Sequence, residues 1–93
     1  MGLFKREQAV RFTWLNVKLE MLWADLRHII VVGNLYSTVA KDHEETGGPV
    51  YEYCAIRIGE LEIERIWLDR VINETQAQII QYQAVRNDET PAF

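Results

Sequence analysis

The residues best suited to chemistry are a carboxylate and an imidazole three positions apart, Asp25 and His28. Residues at this spacing share one face of a helix, and metal sites in helical bundles combine acid-x-x-His pairs with further carboxylates. The later part of the chain offers four acids for this role, Glu60, Glu62, Glu64 and Asp69. It has no histidine after residue 50, however, and the Asp25–His28 pair lies beside the main apolar stripe. We therefore interpret His28 as a hydrogen-bonded residue at an interface edge, and we predict no metal and no cofactor.

Nucleophilic catalysis has little support in the sequence. Cys54 is the only cysteine, so no disulfide can form within the chain. It falls in an apolar stripe, where a cysteine acts as a small hydrophobe. Ser37 is the only serine, and no glycine-rich phosphate loop or dinucleotide-binding motif is present. We predict a protein that is not an enzyme and has no catalytic residues.

One repeating apolar pattern dominates the first half of the chain. Steps of three and four alternate through Phe12, Leu15, Leu19, Leu22, Leu26, Ile29, Gly33, Tyr36 and Ala40. This heptad-like spacing is typical of a helix that packs along one stripe, as in a coiled coil. It predicts a first helix over about residues 5–41.

A second stripe follows a polar connector. Two of its positions are polar, and it consists of Cys54, Ile58, Leu61, Arg65, Leu68, Ile72, Thr75, Ile79 and Tyr82. Two glycines and a proline at residues 47–49 suit the end of one helix and the first turn of the next. We predict a loop over 42–49, a second helix over about 50–86 and a frayed tail over 87–93. All of these form a single domain, residues 1–93.

The position of the turn predicts which residues lie opposite each other. If the turn centres near Glu45, residues whose numbers sum to about 91 are neighbours across the two helices. Both polar positions of the second stripe then have a polar neighbour, because Arg65 falls near Asp25 and Thr75 near Asn16. A buried arginine needs such a partner, so we predict that Asp25 and Arg65 form a structural pair.

A competing interpretation of two segments remains open. Residues 28–33 and 50–58 are rich in β-branched and aromatic side chains. They could form a β-hairpin between two shorter helices, an α-β-β-α arrangement. Because the heptad spacing continues unbroken through Gly33 to Ala40, we favour an all-α fold of two long antiparallel amphipathic helices, a helical hairpin.

Both predicted helices carry more apolar surface than one hairpin can bury. The surplus lies off the main stripes, and in the second helix it ends near Asn73, where the sequence turns polar. Burying one large apolar side chain stabilises by roughly 1.5–3 kcal/mol, so we expect the hairpin to complete a bundle by self-association. The interface candidates are Trp14, Met21, Trp23, His28, Val31, Leu35, Ile56, Ile63, Ile66 and Trp67. Because arginine is favoured in interfaces, Arg57 and Arg70 are candidates for binding a partner.

Charge and composition narrow the class of function. A net charge of −4 argues against a protein that tracks nucleic-acid phosphates. Residues 1–41 hold six Lys or Arg against three acids, whereas residues 42–93 hold four Arg against eleven acids. The most apolar run, residues 29–32, is far too short to span a bilayer, and the start of the chain is charged where a signal peptide would be apolar. We expect a cytoplasmic protein that binds neither nucleic acid nor a membrane.

The sequence therefore predicts a homo-oligomeric helical module, a dimer or a higher oligomer, that binds another protein. An assembly factor, an adaptor, a small viral or phage structural protein and an inhibitor of a host protein all fit this description. The alternative is a helical bundle that binds a small anionic ligand or a metal between protomers, with Asp25 and His28 among its residues. A cleft lined by Trp14, Trp23 and Arg65 is the predicted place for such a ligand.

Overall fold

Two helices account for the fold of this chain. The structure, a computed structural model, describes the backbone of residues 3–89 and the side chains of residues 5–85. Helix α1 is Leu3–Asp42 and helix α2 is Gly48–Glu89, and the two pack against each other. The predicted all-α fold is confirmed, and the arrangement is consistent with a helical hairpin.

Helix α2 extends to Glu89, three residues beyond its predicted end near residue 86. No glycine or proline occurs between residues 60 and 89, so the sequence contains no helix breaker in that stretch. The remaining part of the predicted tail, residues 90–93, lies outside the described residues.

The α-β-β-α alternative is contradicted by the structure. Residues 28–33 lie inside α1 and residues 50–58 lie inside α2, and no strand occurs within residues 3–89. The helix penalty of a β-branched residue is only a few tenths of a kcal/mol. Burial of Cys54 and partial burial of Ile29 and Ile58 against the facing helix outweigh that penalty.

The connector is a tight turn that uses two glycines in the left-handed region. The amide of Gly47 donates to the carbonyl of His43 at 2.9 Å, and the Thr46 hydroxyl donates to the same carbonyl at 3.2 Å. Gly47 has a φ of 62° and Gly48 a φ of 85°, values that side chains with a Cβ rarely adopt. Helix α2 starts at Gly48, which places Pro49 in its first turn as the sequence predicts.

The contacts of the chain group into two compact units, and each is described by itself. The terminal unit consists of α1 up to Trp23 and of α2 from Arg70 onward. Its core is made of Leu15, Leu19, Leu22, Ile72, Thr75 and Ile79, which are all buried. At its edge Phe12 stacks on Tyr82 with ring centroids 4.8 Å apart. Each of these residues belongs to a predicted stripe.

The loop unit consists of residues Ala24–Asp69. Ala40, Cys54, Leu61 and Leu68 are buried in it, and the other apolar residues of the two stripes are half-buried. Tyr36 meets Tyr53 edge to face at 6.1 Å between ring centroids. This pair, like Phe12 and Tyr82 in the terminal unit, lies within about three residues of the predicted register.

The two polar positions of the second stripe both bond within their own helix. The Arg65 side chain is exposed, and its ionic partner is Glu62 at 3.4 Å, so the expected pair with Asp25 is not formed. An exposed guanidinium needs no partner from the facing helix, and an acid one turn away reaches it first. Thr75 is only 1% exposed, yet its hydroxyl donates to the Val71 carbonyl of its own helix at 2.8 Å. The Thr75 hydroxyl therefore has a hydrogen-bond partner without Asn16.

Candidate interaction surface

The outward side of α1 carries large apolar side chains. In the terminal unit Val10, Trp14, Val17 and Met21 follow steps of four, three and four, and all are exposed. Side chains at these spacings line up on one face of a helix. In the loop unit Ile30, Val31, Leu35 and Val39 are also exposed. Apolar residues therefore occur on the outward side of α1 as well as along its buried stripe.

The outward side of α2 is equally apolar in the loop unit. Ile63 is 70% exposed, and it is accompanied by Tyr53, Ile56, Ile66 and Trp67, each more than half exposed. Soluble monomers rarely expose contiguous apolar patches of this kind, and such patches mark sites of interaction. We call the exposed apolar side chains of α1 and α2 in each unit the outward apolar face.

A shallow groove opens between the two helices of the loop unit. It has a volume of about 300 Å³, and it is lined by Asp25, His28, Ile29, Glu64, Trp67 and Leu68. Two carboxylates, an imidazole, an indole and two aliphatic side chains make up this lining. The groove therefore combines apolar surface with negative charge.

The terminal unit has a groove of the opposite character. It encloses about 550 Å³ and is lined by Gln8, Arg11, Trp14, Leu15, Gln78, Gln81, Tyr82 and Val85. Its one charged lining residue is Arg11. The ammonium of Lys18 lies 5.2 Å from the centroid of the Trp14 ring, within the range of a cation–π interaction. Trp14, Lys18 and Arg11 therefore give this region an aromatic side chain accompanied by two positive charges.

An aromatic and ionic cluster fixes Arg57 within the loop unit. Its guanidinium donates to the Glu60 carboxylate at 2.8 Å, and its Cζ lies 5.7 Å from the Tyr36 ring centroid. Hydrogen bonding with Tyr36 is the main cause that raises the pKa of Arg57, and it also raises the pKa of Tyr53. At neutral pH the guanidinium therefore stays charged and the Tyr53 phenol neutral.

The structure exposes most of the predicted interface. Trp23 is half-buried, and the other nine interface candidates are exposed: Trp14, Met21, His28, Val31, Leu35, Ile56, Ile63, Ile66 and Trp67. Of the two arginines proposed to bind a partner, Arg70 is exposed, whereas Arg57 is held by Glu60 and Tyr36. Arg70 is thus the better placed of the two for a contact with another chain.

Several exposed apolar residues were not among the predicted candidates. Val10 lies four residues before the interface candidate Trp14, on the same helix face, so the spacing alone could have identified it. Ile80 and Val85 are exposed in the part of α2 that we interpreted as polar because of its glutamine residues. Tyr53 directly precedes the buried Cys54, and its partner Tyr36 becomes apparent only in three dimensions.

The residues first considered for chemistry are partly brought together. Asp25, His28 and Glu64 line the same groove, but within residues 5–85 no group of three His, Cys, Asp or Glu side chains is arranged to hold a metal ion. The two carboxylates also oppose the binding of a small anion in this groove. Cys54, the one thiol, is buried.

Comparisons of the chain with protein-family models, with curated proteins and with solved structures find no match. Within residues 3–89, neither helix contains a segment that is long and apolar enough to cross a membrane.

Proposed function

We propose that the chain is a non-enzymatic helical module that self-associates and acts by binding another protein. The observation that carries this proposal is the outward apolar face, which is present on both helices. In the loop unit alone it includes Ile63, Ile66 and Trp67 on α2 and Leu35 on α1, each more than half exposed. A cytoplasmic setting, in which the single thiol stays reduced, fits this proposal.

The size of the exposed surface favours association through several residues at once. Burial of the exposed part of one such side chain contributes about 1–2 kcal/mol, roughly two thirds of the value for a whole side chain. Association costs about 4–15 kcal/mol in lost freedom of motion, so a single exposed residue cannot drive it. The burial of several such side chains from each copy contributes more free energy than association costs. The outward apolar face offers that many side chains, because it is present on both helices.

The biological roles that fit are those in which a small helical oligomer presents a surface. An assembly factor, an adaptor, a small structural protein of a virus or phage and an inhibitor of a host protein all work in this way. In each role the oligomer buries part of the outward apolar face, and the remainder is available to a different protein. Arg70 is exposed and is of a residue type that often anchors such contacts.

The proposal is tested by placing a charge on the face of each helix. Met21→Glu on α1 and Ile63→Glu on α2 both change side chains that are more than 60% exposed, so the fold is retained. Gln83→Glu is the matched control, because it adds the same charge at an exposed polar position of α2. Sedimentation velocity reports the mass of each variant, and circular dichroism reports its helix content.

We expect the unmodified chain and Gln83→Glu to sediment as the same oligomer. Met21→Glu, Ile63→Glu or both should shift it to the 10.9 kDa monomer without loss of helix content. An oligomer that persists unchanged in both variants would remove the outward apolar face from the proposal.

A further inference from the structure

The two grooves of the chain differ in charge. The loop-unit groove is lined by the carboxylates of Asp25 and Glu64 together with Ile29, Trp67 and Leu68. The terminal unit instead presents an indole, Trp14, with Lys18 over its ring and Arg11 in the same groove. An exposed aromatic side chain accompanied by cations is complementary in charge and polarity to a groove that combines carboxylates with apolar side chains.

The charges on both sides are free to make such a contact. Among the side chains of residues 5–85, the two ion pairs join Arg57 to Glu60 and Arg65 to Glu62. Asp25, Glu64, Arg11 and Lys18 take part in neither of them. The indole of Trp14 is 57% exposed and that of Trp67, at the loop-unit groove, is 59% exposed.

We infer that the loop-unit groove is the docking site for Trp14 and Lys18 of a second copy of this chain. The inference rests on the proposed self-association and names the surfaces that meet. The indole packs against Trp67 and the aliphatic lining of the groove, while the ammonium faces the carboxylates of Asp25 and Glu64. In a symmetric dimer each copy gives one Trp14 side chain and receives one, so the contact occurs twice.

The charge distribution of the whole chain agrees with this direction of docking. Residues 1–41 are biased toward Lys and Arg, and residues 42–93 toward Asp and Glu. Lys18 and Arg11 belong to the basic half and Glu64 to the acidic half, so the contact joins parts of the two copies with opposite charge bias. Complementary charges of this kind guide the encounter and select the correct partner surface, while like charges placed together are strongly unfavourable.

A pair of charge reversals tests the contact between copies. The proposed contact joins residue 18 of one copy to residue 64 of the other. In a homodimer of Lys18→Glu, two glutamates face each other at both contacts. In a homodimer of Glu64→Lys, two lysines do. A mixture of the two variants forms a heterodimer in which both contacts join a lysine to a glutamate. Any effect confined to one chain is not repaired by mixing, so recovery in the mixture reports a contact between copies.

The experiment compares four samples with the unmodified chain by sedimentation equilibrium and native mass spectrometry. The samples are Lys18→Glu alone, Glu64→Lys alone, the two variants mixed, and Lys18→Glu mixed with Glu52→Lys. Glu52 is an exposed acid of α2 outside the groove, so this last mixture controls for net charge. Circular dichroism verifies that each variant is folded. We expect each reversal alone to weaken the dimer at least about tenfold, and only the Lys18→Glu with Glu64→Lys mixture to regain it as a heterodimer.

Three other outcomes would overturn the inference. If the unmodified chain associates but the reversals leave its dissociation constant unchanged, a different surface joins the copies and a different occupant fills the groove. If the control mixture recovers equally well, net charge rather than the groove is responsible. If the unmodified chain is a monomer at every concentration, the proposed function fails first, and the inference fails with it.

Discussion

Leu61 and Ile63 are two residues apart on α2, and the structure gives them opposite environments. Leu61 is 6% exposed against α1, whereas Ile63 is 70% exposed on the outward side. Replacement of each by alanine removes a branched aliphatic side chain of similar size. The contrast between the two substitutions therefore separates the contribution of the buried stripe from that of the outward apolar face.

The expected magnitudes follow from the buried fraction of each side chain. Leu61→Ala removes an almost fully buried side chain and leaves a cavity, which lowers the free energy of unfolding by about 3 kcal/mol. Ile63→Ala removes a side chain that is about three tenths buried, so the loss is about 0.5–1 kcal/mol. Small domains are stabilised by only about 5–15 kcal/mol in total, so the first change is severe and the second mild.

Urea unfolding followed by far-ultraviolet circular dichroism measures both values. The titrations are carried out at a low and a high protein concentration, because association stabilises the folded chain by mass action. Ile63→Ala should cost little when the chain is dilute and more when it is concentrated, whereas the cost of Leu61→Ala is large at both concentrations. Equal costs for the two substitutions in dilute protein would refute the assignment of Leu61 to the core and Ile63 to the surface.

Four further predictions concern two glycines, a buried hydroxyl and a buried thiol. Gly47→Ala should lower the free energy of unfolding by about 1–2 kcal/mol, because its φ is positive. Gly59→Ala should raise it by about 0.5–1 kcal/mol, because the position is helical and a Cβ there meets nothing within 4 Å. Thr75→Val should change the free energy of unfolding by less than about 1 kcal/mol, since the hydroxyl bonds only within its own helix. A larger loss in urea unfolding would show that the hydroxyl has a second role. Cys54 is 3% exposed, so a thiol reagent should label it only after urea unfolds the chain, and rapid labelling of the folded chain would contradict its burial.

Most of the fold could be predicted because the heptad spacing and the turn agree with each other. Every position of the first stripe is buried or half-buried, and Arg65 is the one exposed position of the second. The glycines at 47 and 48 mark the turn because only glycine adopts their backbone geometry at low cost. These are local rules, and each acts within a few residues along the chain.

The parts that could not be predicted depend on competition between partners. Arg65 had Asp25 across the helices and Glu62 on its own helix, and only the structure shows that the nearer acid is the partner. Thr75 could likewise bond to a neighbour or to its own backbone. The spacing of apolar residues predicted most of the outward apolar face, but the two grooves depend on how the helices meet within each unit.

The most direct test of the central claim is the mass of the unmodified chain in native mass spectrometry across a range of concentrations, on protein purified without a chelator. Self-association predicts a whole multiple of the 10.9 kDa chain, with no additional mass, that dissociates on dilution. A monomer at every concentration would contradict the account. A multiple that carries a metal or a small ligand would instead favour the ligand-binding bundle.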